Sequence, residues 1–280
     1  MTAGIPRSFL FVPGHREAML AKAADRGADA IVFDLEDSVP SAEKDTARQL
    51  VADALAAWPA SSTTRRYVRI NAPRFGQVHH DMQAIEDIED VGVIVPKVDR
   101  AIELAAVRNA APWREIIVNV ETPRALLHAE ELAESYGVSG LFLGGEDLSA
   151  ALGMRRTPSG RELDAARWQV LVAARAAGIA AWDTICPEFR DLDVLARDCA
   201  VAAAMGFDGK FAIHPAQIPV IHAAFTPTAE EAERAARIVA AYDAAVADGL
   251  GAVAVDGEMV DPPVAERARA LLRRAGDATP

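Results

Sequence analysis

Short apolar segments rich in β-branched residues alternate along this chain with longer alanine-rich amphipathic segments, and this alternation limits the possible folds most strongly. It is typical of βα units arranged around a parallel sheet. The pattern predicts eight strands, at residues 8–12, 30–33, 67–70, 91–95, 116–120, 140–143, 180–182 and 209–213. Helices are predicted between the strands, for example at residues 17–26, 42–57, 101–110, 124–136, 161–177 and 191–205.

Eight such units favour an α/β fold of the (β/α)8 TIM-barrel type. A barrel of this type needs roughly 250 residues as one domain, which suits a chain of 280 residues. The alternative is an open, doubly wound sheet. Its dinucleotide-binding form carries a GxGxxG motif after the first strand, whereas Gly14 stands alone at that place in this chain.

The chain continues beyond the eighth strand with an extension of a different kind. Residues 228–248 read as one long helix that begins after Thr228, with Glu230 and Glu231 in its first turns. A glycine-rich segment follows at residues 249–257, and a last helix runs from about Pro262 to near Gly276. We therefore expect a barrel over residues 1–225 and a C-terminal extension over residues 226–280, with a long helix, a glycine-rich hinge and a lid.

Charge and composition exclude several classes of function. The formal net charge is −12 and no run of Lys or Arg exceeds two residues, whereas nucleic-acid binding needs a clustered basic face. The apolar run at residues 9–13 is too short for a signal peptide or a membrane span. We expect a cytoplasmic protein with no nucleic-acid or membrane partner, in which Cys186 and Cys199 are buried free thiols.

Polar residues follow most of the predicted strands at their carboxyl ends, where the active sites of such barrels form. These residues converge on one mouth, and burial of so many charges is costly unless they are paired or bind a metal. The set comprises Asp34, Glu36, Asp37, Arg69, Asn71, Lys97, Glu121, Gly144, Gly145, Glu146, Asp147, Asp183, Thr184 and His214.

Glu121 and Asp147 are the best candidates for metal ligands because they follow neighbouring strands. Two carboxylates together with water molecules suit Mg²⁺, and no cluster of His or Cys indicates zinc. The alternatives are an ion pair of Glu121 with Arg69 or Lys97, and a role for Asp147 as a helix N-cap.

Arg69 is the best candidate for binding an anion, because a guanidinium can hold a carboxylate through two parallel hydrogen bonds. Its alternative role is an ion pair with Asp34 or Glu36. Gly145 and its neighbouring glycine allow the backbone to approach a ligand closely, so that their amides could hold a carboxylate. His214 either lines the mouth or is a structural histidine.

Taken in order, the motifs resemble those of one known family. They are RSFLFVPG at 7–14, DLEDSV at 34–39, EKDTAR at 43–48, RIN at 69–71, PK at 96–97, ETP at 121–123, GED at 145–147, GFDGK at 206–210, HPAQI at 214–218 and GEMVD at 257–261. Each motif is modest alone, but their shared order resembles the citrate lyase beta-subunit family, which includes malyl-CoA and citramalyl-CoA lyases.

The resemblance implies a (β/α)8 barrel that is usually trimeric. It implies that Glu121 and Asp147 bind Mg²⁺ and that Arg69 contacts a 2-oxo acid. It also implies that Asp261, on a C-terminal lid, reaches a neighbouring subunit's site as an acid or base. The alternative for Asp261 is a simple cap of the last helix, since Pro262 is a favoured first helical residue.

Residues and resemblance together predict a Mg²⁺-dependent carbon–carbon lyase. It would cleave or form a 3-hydroxyacyl thioester, such as the citramalyl, malyl or citryl ester of CoA or an acyl-carrier protein, with an acetyl thioester and a 2-oxo acid as the other reactants. Asp261 would exchange the proton of the enolate carbon, with Asp37 as the second candidate or as an orienting residue. Glu36 would hold metal-bound water. Glu36, Lys97, Gly145, Glu146 and His214 are expected to bind substrate beside Arg69, in a homotrimer or homohexamer.

Two other functions remain open at this stage. The same site could run as a malate-synthase-type condensing enzyme with thioester hydrolysis. The chain could also be a non-catalytic or partner-dependent subunit of a citrate lyase complex. The presence of Arg69, Glu121 and Asp147 argues against a non-catalytic role.

Overall fold

The computed structural model describes residues 4–277 and contains a closed barrel of eight parallel strands. All eight predicted strands form, so the predicted (β/α)8 barrel is confirmed and the open sheet is excluded. The strands are β1 (Ser8–Pro13), β2 (Ala30–Asp34), β3 (Arg65–Arg69), β4 (Val91–Val95), β5 (Ile116–Val120), β6 (Val138–Leu143), β7 (Ala180–Asp183) and β8 (Gly209–Ala212). The barrel closes where β1 pairs with β8, with Ser8 opposite Lys210 and Leu10 opposite Ala212.

Aromatic side chains fill the interior of the barrel. The ring of Phe211 stacks on Phe9 with centroids 4.5 Å apart and on Phe142 with centroids 3.7 Å apart. Trp182 meets the edge of Phe9 and donates its indole N–H to the carbonyl of Pro6 at 2.8 Å. Every second residue of a strand points inward, so the strand sequences themselves place these rings in layers and make the interior a packed core.

Ten helices of the described chain surround or follow the strands of the barrel. They are α1 (Glu17–Leu20), α2 (Lys44–Ala56), α3 (Val78–Gln83), α4 (Ala105–Ala110), α5 (Pro123–Leu127), α6 (Ala129–Ala133), α7 (Gly145–Leu152), α8 (Asp164–Ala176), α9 (Leu192–Met205) and α10 (Ile218–Phe225). Short 3₁₀ turns stand beside several of them, at Ala23–Arg26, Ser41–Glu43, Pro73–Phe75, Ala101–Leu104, Arg161–Leu163 and Pro215–Gln217.

The structure corrects two of the predicted helices. The single helix predicted over residues 124–136 is two helices, α5 and α6, because His128 leaves helical geometry with φ −111° and ψ 21°. The helix predicted over residues 17–26 ends at Leu20 and gives way to a 3₁₀ turn that stops at Gly27, whose φ is 74°. Alanine-rich amphipathic sequence predicts helix, but it does not reveal such interruptions.

A buried cluster of four charges lies between the last strands and the helices outside them. Lys210 on β8 donates to Asp183 on β7 at 2.5 Å and lies 2.7 Å from Asp198 on α9. Arg167 on α8 bonds the same two carboxylates at 2.9 and 2.6 Å. Two cations and two anions thus compensate one another with little contact with water, since only the Asp198 side chain is partly exposed, and burial of charge requires such pairing. Both cysteines are buried and free, as expected.

The second compact unit of the chain comprises residues 4–5 and 223–277 of the described part, whereas residues 6–222 form the barrel unit. It contains α11 (Ala229–Ala247), the strands β9 (Val253–Val255) and β10 (Glu258–Val260), and α12 (Pro262–Asp277). Its core is formed by Ala235, Ile238, Tyr242, Val260, Ala265 and Ala268. The helix α11 begins with a capping box, in which Thr228 accepts from the N–H of Glu231 and the Glu231 carboxylate accepts from the N–H of Thr228.

The glycine-rich segment at residues 249–257, expected to be a hinge, is largely a hairpin. Strands β9 and β10 pair in antiparallel fashion, and Val255 lies opposite Glu258. The two turn residues Asp256 and Gly257 have φ of 51° and 83°, the left-handed values that an Asp-Gly hairpin turn requires.

No helix of residues 4–277 is long and apolar enough to cross a membrane.

Candidate active site

A cavity of about 290 Å³ opens at the carboxyl ends of the barrel strands. Its wall brings together the carboxyl ends of seven of the eight strands and the start of α7, the region where the sequence places many polar residues. The lining residues are Phe11, Pro13, Met19, Asp34, Ser38, Arg69, Asn119, Glu121, Phe142, Gly144, Gly145, Glu146, Asp147, Thr184, Ile185 and Ile213.

Arg69 is fixed at the cavity wall by Asp34. Its Nε and Nη2 donate to the two oxygens of Asp34 at 2.7 Å each, and its guanidinium lies 4.6 Å from the ring centroid of Phe11. Burial alone would raise the pKa of Asp34, but the charge and hydrogen bonds of Arg69 outweigh it and lower that pKa to about 2. The ion pair with Asp34 therefore exists, and it occupies one edge of the guanidinium. Nη1, which lies 3.2 Å from Oε2 of Glu36, and the remaining Nη2 hydrogen form the other edge.

Glu121 is 1 % exposed and is held from both sides. Its Oε1 accepts from the backbone N–H of Lys97 at 2.8 Å, and its Oε2 accepts from Nδ2 of Asn119. Burial, together with the negative charges of Glu36 and Asp147, raises the pKa of Glu121 well above its usual value. Glu121 is therefore a buried carboxyl group that two further carboxylates repel. A cation bound beside it would reduce this electrostatic repulsion.

The residues present fit a hydrated magnesium ion. Asp147 lies in the first turn of α7 and is half-exposed, and its charge acts on Glu121. Within residues 4–277 no group of three or more His, Cys, Asp or Glu is arranged to hold a metal. Mg²⁺ accepts one or two carboxylates and keeps several waters. A side chain at position 144 would collide with the carboxylate of Glu121, because a Cβ on Gly144 would lie 2.8 Å from Oε2 of Glu121 and 2.6 Å from Oδ1 of Asn119.

The N-cap alternative for Asp147 does not hold, whereas the charges of Arg69 and Lys97 still act on Glu121 and oppose the rise of its pKa. The N-cap of α7 is Gly144, and Asp147 follows inside the helix. Glu121 accepts a hydrogen bond from the backbone N–H of Lys97, whereas the ammonium group of Lys97 donates to Glu36.

Lys97 binds the carboxylates that follow β2. Its Nζ donates to Glu36 at 2.5 Å and to both oxygens of Asp37 at 2.8 and 2.7 Å, and it lies 3.9 Å from Asp147. Burial would lower the pKa of Lys97, but these hydrogen bonds and charges raise it. Burial raises the pKa of Glu36 against the opposing effects of Arg69 and Lys97. The structure thus joins three predicted site residues, Glu36, Asp37 and Lys97, in one ion-pair network beside the cavity wall.

The glycine amides expected to hold a carboxylate are bonded within the protein. The N–H of Gly144 donates to the carbonyl of Val120 at 3.0 Å, and the N–H of Gly145 donates to Oγ1 of Thr184 at 3.0 Å. The amides of Glu146 and Asp147, which come next at the start of α7, are the ones a helix leaves without intrahelical partners.

Thr184 thereby anchors the helix that carries Asp147, a role that the sequence analysis missed. The only signal for it was a hydroxyl residue directly after β7. The side chain of Glu146 lines the cavity and pairs with Arg156 at 2.9 Å.

The last two predicted residues have local structural partners. His214 caps the 3₁₀ turn after β8, where its Nδ1 accepts from the N–H of Ala216 at 3.1 Å, and its exposed ring stacks on Phe189 with centroids 5.3 Å apart. Asp261 lies in the C-terminal unit directly before α12, and its Oδ1 accepts from the N–H of Val264 at 3.3 Å. Both contacts match the structural alternatives that the sequence left open for these residues.

Comparison with known proteins gives a consistent result. A model of the HpcH/HpaI aldolase/citrate lyase family matches residues 7–215. The chain is 38% identical over 281 residues to the citrate lyase subunit beta of Escherichia coli (strain K12), covering 96% of this chain and 93% of that protein. It is 36% identical over 269 residues to a (3S)-malyl-CoA thioesterase of Cereibacter sphaeroides (strain KD131 / KCTC 12085), covering 96% of this chain and 94% of that protein.

The fold is also similar to that of a solved relative. The crystal structure of the protein CitE from Mycobacterium tuberculosis, in complex with magnesium, acetoacetate and coenzyme A, superposes with a TM-score of 0.82 at 36% sequence identity. The match covers 98% of this chain and 99% of that one.

Proposed function

The chain belongs to the HpcH/HpaI aldolase/citrate lyase family, and we propose that it is a magnesium-dependent carbon–carbon lyase acting on a 3-hydroxyacyl thioester. The products would be an acetyl thioester and a 2-oxo acid. The observation that carries this proposal is the meeting of Arg69, Glu121 and Asp147 on the wall of one cavity at the strand ends. An anion-binding guanidinium beside a pair of carboxylates suits a substrate that is itself a hydroxy acid anion and needs a cation.

Glu121 and Asp147 would hold the magnesium ion, as supported by the carboxylate pair and by the magnesium in the related CitE complex. When bound, the cation supplies a Lewis acid that withdraws charge from the substrate oxygens as the carbon–carbon bond breaks. Lys97 and Asn119 orient Glu121 for this task through their hydrogen bonds to its two oxygens.

Arg69 would bind the carboxylate of the 2-oxo acid half of the substrate. Asp34 holds one edge of the guanidinium, so the other edge is presented in a fixed orientation. The amides of Glu146 and Asp147 at the start of α7 add donors and a favourable helix dipole for an anion in the cavity. Prior orientation of these groups lowers the entropy that binding must remove from the reacting complex.

Cleavage of the thioester is a retro-aldol reaction that moves two protons. A base takes the proton of the 3-hydroxyl group, the bond between C2 and C3 breaks, and the electron pair passes to a thioester enolate, which takes up a proton at carbon. We assign the proton of the enolate carbon to Asp261, reaching a neighbouring subunit's barrel in a homotrimer or homohexamer. Asp37 is the second candidate, and its two bonds from Lys97 suit it better to an orienting role.

Thioester hydrolysis is a second candidate function. It is favoured by the 36% identity to a (3S)-malyl-CoA thioesterase, which covers nearly the full length of both chains. The same cavity would then admit a water molecule to the thioester carbonyl, and a condensing enzyme of the malate-synthase type would use such a water after carbon–carbon bond formation. A partner-dependent subunit of a citrate lyase complex would keep the fold and lack activity alone.

One assay separates these functions. The purified chain with Mg²⁺ is given citramalyl-, malyl- and citryl-CoA, and the release of 2-oxo acid and of free thiol is followed in parallel. A lyase releases 2-oxo acid and acetyl-CoA without free thiol, whereas a thioesterase releases free thiol without 2-oxo acid. If the chain releases neither product, including from the matching acyl-carrier-protein esters, the proposal of an independent lyase is wrong.

A further inference from the structure

Glu146 brings a further carboxylate to the cavity that contains the two proposed metal ligands. It directly precedes Asp147 in the first turn of α7, and both residues line the cavity together with Glu121. The side chain of Glu146 is 41% exposed, so its carboxylate is not locked in the core. A carboxylate at this place can pair with a metal ion in the cavity or with a cation of the protein.

Arg156 supplies a cation of the protein for Glu146. Its Nε donates to Oε1 of Glu146 at 2.9 Å, and its Nη1 donates to Oε1 of Glu162 at 3.0 Å. The Arg156 side chain is 21% exposed, and it is held by two carboxylates at once. Both features distinguish this contact from an isolated, fully solvated ion pair, which has little effect on structure.

Glu162 is itself anchored, and this fixes the position of the Arg156 guanidinium. Its Oε1 accepts from the N–H of Thr157 at 2.8 Å, and its Oε2 accepts from Oγ1 of Thr157 at 2.7 Å. Burial would raise the pKa of Glu162, but the hydrogen bonds of Thr157 and the charge of Arg156 lower it. The loop that follows α7 thus carries a fixed guanidinium to the edge of the cavity.

The number of carboxylates on a magnesium ion decides how many positions remain for the substrate. Mg²⁺ is octahedral and is usually held by one or two carboxylates together with water and substrate oxygens. The proposed lyase needs such open positions for the substrate oxygens. A carboxylate of Glu146 on the ion, beside Glu121 and Asp147, would occupy one of these positions and would repel an anionic substrate.

We propose that Arg156 is a positioning residue that holds the carboxylate of Glu146 away from the metal ion and so keeps a coordination position open for substrate. This inference rests on the proposed magnesium site and deepens it, because it assigns control of the ligand number to the loop after α7. Loss of Arg156 releases Glu146, so the ion is bound more tightly and the substrate is bound less well. General damage to the loop would instead weaken both.

Metal titration of Arg156→Gln tests the inference without turnover. Mg²⁺ and Ca²⁺ are titrated separately, by calorimetry, into the full-length wild type and the variant, and circular dichroism checks the fold. We expect Mg²⁺ to bind about tenfold more tightly to the variant and Ca²⁺ to gain more, because Ca²⁺ takes more oxygen ligands than Mg²⁺ does. Weaker or unchanged binding of both ions overturns the inference.

Arg155→Gln is the matched control for charge. It removes the same charge from the neighbouring position of the same loop, where the side chain is exposed. We expect it to change the affinity for either ion by less than about twofold, because solvent and salt screen an exposed charge. If Arg155→Gln tightens binding as much as Arg156→Gln does, the effect is one of net charge and the inference is wrong.

Substitution of Glu146 keeps the test decisive even if Arg156→Gln does not fold. With Arg156 present, Glu146→Gln should lower the affinity for Mg²⁺ by less than about threefold, because a carboxylate paired with a guanidinium contributes little at a distance. If it lowers the affinity as much as Asp147→Asn does, Glu146 is itself a metal ligand and the inference is wrong. In the Glu146→Gln background, Arg156→Gln should no longer tighten the binding of either ion.

Turnover distinguishes a failure of this inference from a failure of the proposed function. With the best thioester substrate, Arg156→Gln should lower kcat/KM by about tenfold or more although it binds Mg²⁺ more tightly, which supports both. Unchanged kcat/KM leaves the lyase standing and overturns the role of Arg156. If the wild type cleaves no thioester, the lyase proposal fails, and the metal titrations still decide the inference. If the wild type binds neither ion, the magnesium site fails and this inference fails with it.

Discussion

The backbone N–H of Lys97 donates to Oε1 of Glu121 at 2.8 Å from a left-handed backbone conformation with φ 54°. Such a conformation costs roughly 1–2 kcal/mol for a residue with a side chain. This strained conformation occurs just after the end of β4. In it, Lys97 orients Glu121 with its backbone amide and binds Glu36 and Asp37 with its ammonium group. Strain of this kind persists where the surrounding structure holds it in place, and here it holds a proposed metal ligand.

Loss of either proposed metal ligand should abolish magnesium-dependent turnover. Glu121→Ala and Asp147→Ala each remove one of the two carboxylates while leaving the barrel core intact, since both lie at the cavity wall. Glu121→Gln is the matched control for shape, because it keeps the side chain length and removes only the charge. Circular dichroism checks the fold, and the rise in melting temperature with Mg²⁺ checks binding. Full activity of either alanine variant in EDTA-treated buffer excludes this assignment.

Replacement of Arg69 by Lys should lower kcat/KM by about 10²-fold or more, on the order of 3 kcal/mol. Lysine keeps the positive charge but cannot bond Asp34 along one edge and a substrate carboxylate along the other. Steady-state kinetics with the best thioester substrate give the measurement. Kinetics identical to those of the wild type would leave Arg69 with a structural role only.

Removal of the Thr184 hydroxyl should weaken magnesium binding. Thr184→Val keeps the shape but removes the acceptor for the N–H of Gly145, so the start of α7 and Asp147 lose an anchor. Groups that orient metal ligands typically change metal affinity by about 10–100-fold when removed. Magnesium titration should show this loss in Thr184→Val and little change in Thr184→Ser, which keeps the hydroxyl. Equal magnesium affinity in wild type and Thr184→Val contradicts the anchoring role.

Asp34 should make the stability of the barrel depend on acid pH. Its pKa falls from 3.8 to about 2 in the folded protein. A lowered pKa stabilises the fold above the unfolded value, and this contribution disappears as the pH falls through the folded value. It amounts to roughly 2 kcal/mol at neutral pH, and about half of it is gone by pH 3.

The test compares denaturant unfolding of the wild type and Asp34→Asn at pH 6 and pH 3. The difference in unfolding free energy between them should be smaller at pH 3 by about 1 kcal/mol. A difference that does not change with pH would show that the Arg69–Asp34 pair contributes no linked proton uptake.

The role of Asp261 is tested by mixing inactive variants. Asp261→Asn lacks the proposed acid, and Glu121→Ala lacks the proposed metal site. If Asp261 serves a neighbouring subunit, oligomers refolded from both chains should recover part of the activity that neither has alone. If it serves its own barrel, no site in the mixture holds both groups and activity stays at background. Full activity of Asp261→Asn alone would leave the residue as the cap of α12 that its bond to Val264 describes.

Sequence alone predicted the barrel well because its strands are short apolar runs. Residues 91–95 and 116–120 were predicted with the observed bounds, since every residue in β4 and β5 is buried and most are β-branched. The interruption at His128 and the hairpin β9–β10 were missed. Neither carries a periodic signal, and the hairpin strands have only three residues each. The resemblance to the citrate lyase beta-subunit family is confirmed, because it rested on motif order along the whole chain.

The sequence predicted which residues belong to the site more readily than it predicted the hydrogen bonds among them. Position at strand ends is enough to bring Arg69, Glu121 and Asp147 to one cavity. It does not reveal that Arg69 gives one edge to Asp34, or that the glycine amides bond Val120 and Thr184. Which hydrogen bonds form depends on differences of a few tenths of an ångström between side chains on different strands and helices. A pattern of residue types along the sequence does not encode those differences.

The pairing of Ser8 with Lys210 has a consequence for synthesis of the chain. The first strand to leave the ribosome can close the barrel only with the last, some two hundred residues later. Until residue 212 emerges, the growing sheet has two open edges that can pair with other chains. Expression at low temperature or with chaperones should therefore raise the yield of folded protein. A chain truncated before Gly209 should aggregate, whereas a chain truncated after the barrel should not.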